Sequence, residues 1–132
     1  MSPYSFDSLR KISLFVNSSE RVLKKISKIT DEMILPAGSV ILREGDVGHE
    51  FLMILEGTAR VEKDGKVLRR LSANDFLGEV SLIDKKPRSA EIIAETDLRL
   101  LVVGSEHFDY LLEIVPGLWR EIALALCRYI RG

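Results

Sequence analysis

The sequence predicts a mainly β domain with flanking α elements: an eight-stranded-type β-roll, or jelly-roll barrel, set between short N-terminal helices and C-terminal helices. Three observations carry this prediction. The hydrophobic period changes twice along the chain, helical at both ends and strand-like between them. Turn residues recur about every ten positions through the middle zone, which is the rhythm of an all-β barrel or sandwich. At 132 residues the chain has the length of one domain with its own core.

Residues 1–31 read as a helical preamble. Leu9, Ile12 and Phe15/Val16 recur at helical spacing, and after Asn17-Ser18-Ser19 a second run places Val22, Ile26 and Ile29 on one side. Ser18 or Ser19 can accept a hydrogen bond from a free N–H of the second helix, with Glu20 and Arg21 beginning its first turn. Lys24, Lys25 and Lys28 suit an exposed face.

Residues 32–103 read as the roll. The runs MIL, SVILR, EFLMILE, TARVEK, KVLRRL, SAEIIAE and LRLLVV are separated by Pro36-Ala37-Gly38, Glu44-Gly45-Asp46, Glu56-Gly57, Asp64-Gly65 and Thr96-Asp97. Asp64-Gly65 is the sharpest local signal, since both residues tolerate the positive φ of a two-residue hairpin turn. It predicts antiparallel pairing of Thr58–Lys63 with Lys66–Leu71. Gly45, Gly57 and Gly65 are read as turn glycines, and Lys85-Lys86 as a solvated loop.

Residues 104–132 return to helical spacing. Phe108, Leu111, Leu112 and Val115 form one stripe, Pro116-Gly117 interrupts it, and Leu118, Ile122, Leu126 and Tyr129 form another. The last helix carries a broad apolar face, which can fold back on the roll, pair with a second copy, or do both. Cys127, inside the run IALALC, is read as a small core or interface residue.

Composition removes several function classes. Nineteen Lys+Arg against 20 Asp+Glu leave a net charge of −1, too little positive charge for direct nucleic-acid binding. A single cysteine excludes an internal disulfide and a cysteine zinc cage, and no apolar run has membrane-spanning or signal-peptide character. A cytoplasmic protein without a membrane segment is expected. The two histidines, His49 and His107, cannot make a metal cluster, and no nucleophile–base arrangement is recognisable, so neither enzyme activity, metal nor cofactor is expected.

One stretch departs from strand alternation: residues 75–90, DFLGEVSLIDKKPRSA. Gly78 opens a run too short for a full helix. A glycine followed by one helical turn leaves several backbone N–H groups aimed the same way, an anion-binding nest. Arg88 adds a planar fork suited to phosphate oxygens, Glu79 can accept from sugar hydroxyls, and Ser81 or Ser89 can donate. Together they suit a molecule with one phosphate and one ribose. The competing reading makes Arg88 a surface ion-pair partner of Glu91 or Asp84.

The segment FLGEVSLIDKKPRSAEI resembles the phosphate-binding cassette of the cyclic nucleotide-binding domain family: FGE, a small residue, two apolar residues, a loop, then Arg, a small residue and Ala. Upstream, GDVGHEFLMILEGTARV is similar to the paired-strand signature of the same family, and the terminal helices match its layout. The family includes the regulatory modules of bacterial regulators, kinase regulatory subunits and nucleotide-gated channels. The resemblance implies a cassette over residues 76–90. In it Gly78, Val80 and Ser81 lie along the cyclic phosphate, Glu79 holds the ribose 2′-hydroxyl, Arg88 pairs with exocyclic phosphate oxygens, and Ser89 and Ala90 complete the ring of donors. Two departures stand out: Leu77 enters between Phe76 and Gly78, and His49-Glu50 occupies a place where a small residue and Asp are commoner.

What the resemblance implies for function is a regulatory module whose ligand is cAMP or cGMP, cAMP being favoured, and whose C-terminal lid helix moves over the base. Tyr129, or a neighbouring arginine, is the candidate base cap. Three partners are expected besides the nucleotide: a second copy through the C-terminal helix, an output domain, or a protein acted on in trans. The rival from another class is a ligand-free roll used only for dimerisation or docking.

Overall fold

In the computed structural model, which describes residues 6–78, 82–83 and 85–131, short helices lead into eight strands and two closing helices. Helix α1 (Phe6–Arg10) passes through a 3-10 turn (Ser13–Phe15) to α2 (Glu20–Ser27). Ser19 is the cap of α2: its Oγ accepts from the Val22 N–H at 3.2 Å, satisfying one of the donors that a helix start leaves open. Leu9, Ile12, Phe15 and Ile26 are buried as their spacing requires, together with Leu23, whereas Val16 is exposed.

The strands are β1 (Thr30–Leu35), β2 (Val40–Leu42), β3 (Glu50–Glu56), β4 (Ala59–Lys63), β5 (Lys66–Leu71), β6 (Phe76–Leu77), β7 (Glu91–Ala94) and β8 (Leu98–Gly104). They form two four-stranded antiparallel sheets, ordered β1-β8-β3-β6 and β2-β7-β4-β5. The roll is thus two facing sheets, the jelly-roll arrangement, and not a closed barrel. The predicted hairpin is present: Lys63 pairs with Lys66 across Asp64 (φ 54°) and Gly65 (φ 75°). A register shift beyond Val61 leaves Leu68 as the extra residue of a bulge.

Strands β3 and β8, at the centre of sheet β1-β8-β3-β6, are buried on both faces, which explains why they read as continuous apolar runs. Along β3, Leu52 and Ile54 point between the sheets, where they meet Val61, Ile92, Leu100 and Val102. Phe51, Met53 and Leu55 point the other way, into a second cluster with Leu9, Ile26, Phe108 and Leu111. Period-two alternation therefore divides one strand between two cores. An ion-pair chain at the sheet margin, Lys11 to Glu56 to Arg99 to Glu32, ties the preamble to the ends of β1, β3 and β8. The Glu32 hydrogen bond and charge, followed by Glu56, raise the pKa of the Arg99 guanidinium above its ordinary value.

Helices α3 (Ser105–Ile114) and α4 (Leu118–Arg131) are separated by Val115-Pro116-Gly117. Phe108, Leu111, Leu112, Val115, Leu118 and Ile122 are all buried in the helix-side core. Cys127 corrects the core reading: it is an exposed free thiol on the opposite side of α4. The run IALALC is apolar all round, so α4 had two possible inward faces, and the one containing Leu118 and Ile122 is the one covered. Among the described residues no helix is long and apolar enough to cross a membrane.

Candidate functional site

The cassette leaves the first sheet at β6, where Leu77 pairs with Leu52 and Phe76 with Met53. Two further backbone bonds hold the approach: the Ile54 N–H donates to Asp75 C=O at 3.0 Å, and the Asn74 N–H donates to Ile54 C=O at 2.9 Å. Phe76 is seated against Phe51 at a ring-centroid distance of 5.6 Å, and Phe51 lies 5.2 Å from Phe108 of α3. This tilted aromatic row connects the start of the cassette to the helix core.

Gly78 has φ +88°, a left-handed conformation that side chains disfavour. A β-carbon there would also lie 2.5 Å from the Glu50 carbonyl oxygen and 3.2 and 3.5 Å from Nη1 and Nη2 of Arg88. Only a residue without a side chain lets the Arg88 guanidinium come against the backbone at this point. Ten positions apart in sequence, Gly78 and Arg88 are brought together, as a phosphate site requires.

The return limb is fixed by the upstream glycine-acid turn. The Gly45 N–H donates to the Arg88 carbonyl at 2.8 Å, the Arg88 N–H donates to the Asp46 carbonyl at 2.8 Å, and Val47 bridges to Pro87. The two motifs recognised separately in the sequence therefore meet in space, one gripping the backbone of the other. Ser89 is exposed beside Arg88, and Ala90 is half-buried against the core between the sheets. Lys85 and Lys86 are exposed. Leu82 is buried in the helix-side core with Leu118 and Ile122, so the cassette has a foot in the cluster that receives α4.

Glu79, Val80 and Ser81, which the sequence assigns to ribose and phosphate, lie outside the described residues, as does Asp84. Tyr129 falls in α4, and its side chain also lies outside what is described. A cleft of about 260 Å³ separates α4 from the roll, lined by Glu121, Ala125 and Arg128 on the helix and by Arg69, Asp75 and Phe76 opposite; Gly78, Arg88 and Ser89 are not among its walls. Sequence reasoning missed two contributors: β6, a pair of residues too short to show a period, and the Glu50 carbonyl. Neither leaves a signal in residue type.

A positive-φ glycine with an arginine folded onto it, in the connection between the two sheets of the roll, defines a β-roll domain with a cassette suited to an anion. Residues 32–114 match the family model described as the cyclic nucleotide-binding domain, and the chain belongs to that family. It is a cyclic nucleotide-binding regulatory domain. Among its relatives, the cAMP-dependent protein kinase regulatory subunit of Aspergillus niger is 37% identical over 99 residues, covering 74% of this chain and 24% of that protein. The chain thus spans about a quarter of that relative's length. Of solved structures, PKAR CBD2 bound to Sp-2Cl-cAMPS shares the fold at a TM-score of 0.78 and 22% identity, over 95% of this chain and 86% of that one. The cAMP-bound PfPKA-R superimposes with a TM-score of 0.78 at 25% identity, over 95% of this chain and 43% of that chain.

Proposed function

We propose that the cassette binds cAMP in preference to cGMP and that occupancy is transmitted to α4. The observation that carries this reading is the Arg88 guanidinium lying against the bare backbone of Gly78. A planar fork is matched to the two exocyclic oxygens of a cyclic phosphate. In this reading Gly78, Val80 and Ser81 line the phosphate, Glu79 accepts from the ribose 2′-hydroxyl, and Ser89 and Ala90 close the ring of donors. Tyr129 caps the base.

The preference for cAMP is supported by the relative that is a cAMP-dependent protein kinase regulatory subunit and by the cAMP-bound structure at 25% identity. Exposed Ser89 favours cGMP as the second reading, because a hydroxyl there can meet the guanine 2-amino group. Transmission to α4 is supported by Leu82, whose side chain shares a core with Leu118 and Ile122. Any ligand that shifts Leu82 changes the packing seen by the first turns of that helix. The domain then acts as a cytoplasmic regulatory module on an output domain, a partner protein or a second copy, and performs no catalysis itself.

Calorimetric titration of both nucleotides into the chain tests the assignment. Saturable binding of each with cAMP the tighter is the expected result. Tighter cGMP binding would transfer the assignment to the second reading, and absence of heat with either would leave a ligand-free roll.

A further inference from the structure

Helix α4 has three sides. Leu118 and Ile122 are fully buried in the core, while Glu121, Ala125 and Arg128 face the cleft toward the roll. The third side carries Trp119, Ala123, Cys127 and Ile130, all exposed, with Trp119 at 50% and Ile130 at 81% of full accessibility. At 3.6 residues per turn these four positions fall within an arc of roughly 80°. They make a second apolar stripe that the domain itself does not cover. Along its solvent-side border stand Arg120 and Arg131, both exposed.

We infer that this stripe is a docking surface for an amphipathic helix of a partner protein, one whose apolar face is bordered by Asp or Glu. The charge pattern selects the occupant. A second copy of α4 offers no matching acid, because its single carboxylate, Glu121, is turned into the cleft. Antiparallel pairing of two copies sets arginine borders against each other. Parallel pairing sets each border against the partner's core-facing edge, where a guanidinium finds no carboxylate. An anionic lipid surface calls for a wider cluster of basic residues than the two arginines beside this stripe supply. An acid-edged helix satisfies both arginines of that border while covering Trp119 and Ile130. The inference rests on the geometry of α4 and is independent of which nucleotide the cassette takes.

Trp119 is the single tryptophan of the chain, so its emission reports on this face alone. The probes are two tryptophan-free helical peptides with one leucine stripe, bordered by Glu in one and by Lys in the other. Titrated into the full chain at low salt, the Glu-edged peptide is expected to shift Trp119 emission to the blue and to bind roughly tenfold more tightly than its Lys-edged twin, a difference that salt erodes. The double variant Arg120→Glu/Arg131→Glu should invert that preference with an unchanged circular dichroism spectrum, and Ile130→Ser should weaken both peptides. Equal affinity for the two peptides, or no Trp119 response to either, overturns the inference. So does a concentration-dependent dimer that Ile130→Ser abolishes, which assigns the face to a second copy. A Trp119 shift with vesicles of anionic phospholipid and none with the peptides assigns it to membrane.

Discussion

Replacing Gly78 by Ala adds one methyl group at the point where the cassette is tightest, and a control at Gly38 separates the two costs involved. Gly38 and Gly78 have nearly the same backbone angle, φ +90° and +88°. A β-carbon at Gly38 meets nothing within 4 Å, whereas at Gly78 it meets the Glu50 carbonyl oxygen at 2.5 Å and Arg88 Nη1 at 3.2 Å. Gly38→Ala therefore carries only left-handed strain of about 1–2 kcal/mol, partly offset by roughly 0.4–1 kcal/mol of lost unfolded-state entropy. Gly78→Ala adds overpacking of about 1–3 kcal/mol, because Glu50 is backbone in a paired strand and cannot swing aside. At some 3–5 °C per kcal/mol for a chain of this size, the middle of each range, about 0.8 and 2.8 kcal/mol net, gives expected losses in Tm of about 3 °C for Gly38→Ala and about 11 °C for Gly78→Ala.

Affinity divides the two variants more sharply. The methyl group displaces the Arg88 guanidinium, so Gly78→Ala should weaken cyclic nucleotide binding at least about 30-fold, equivalent to roughly 2 kcal/mol. Gly38→Ala, in the turn between β1 and β2, should bind as wild type does. Thermal melts by circular dichroism and calorimetric titration measure both quantities. Equal melting losses and equal affinities in the two variants would refute the reasoning, since then the contacts at Gly78 contribute nothing beyond backbone strain.

Arg88→Ala should reduce nucleotide affinity by about 30-fold to several-thousand-fold while the melting curve stays cooperative, and Arg88→Lys should restore only part of it, since an ammonium lacks the fork; unchanged calorimetry would remove the phosphate assignment. Wild type should bind the 2′-deoxy analogue more weakly by roughly 1.5–3 kcal/mol, the scale of a hydrogen bond to a charged group, and Glu79→Ala should erase that discrimination; a wild type that binds both alike would give Glu79 another role. Backbone hydrogen exchange across residues 118–131 should slow on adding nucleotide, and a chain ended at Pro116 should bind more weakly. Unaltered exchange with full affinity in the shortened chain would leave α4 as an interface without a lid role.

Legibility in the sequence followed the range of the interactions. The Asp64-Gly65 hairpin and the Ser19 cap are made by neighbours, and residue type alone declares them. The α3 stripe of Phe108, Leu111, Leu112 and Val115 is likewise local, because one helix face meets one core. β3 was legible as a strand but not as a divider, since FLMILE has no polar alternation to show that Leu52 and Ile54 belong to one core and Phe51 and Met53 to the other. The outward turn of Cys127 was beyond reach for a similar reason: within the run IALALC every side is apolar, and tertiary contacts and not pattern choose the buried face. At the site, the types of Gly78 and Arg88 pointed to phosphate, yet their adjacency depends on the Gly45 and Asp46 carbonyl and amide bonds, a register some forty residues distant that no local preference encodes.

That register bears on how a ligand in the cassette can act on the rest of the domain. Both ends of the cassette are held by backbone bonds, the first through the pairing of β6 with β3. Its return limb is clamped by paired backbone bonds to Gly45 and Asp46, with Ala90 against the core between the sheets. Between them Leu82 is buried in the helix-side core, the cluster that also holds Leu118 and Ile122 at the root of α4. Backbone pairing across a sheet resists displacement more than packing does, because a shifted register leaves buried N–H and C=O groups without partners. A phosphate at Gly78 and Arg88, as proposed, would therefore meet backbone-paired walls on both sides. In the proposed transmission the packed contact is Leu82, and α4, which shares its core, enters that core through Leu118, Ile122 and Leu126 and leaves Trp119 and Ile130 in solvent.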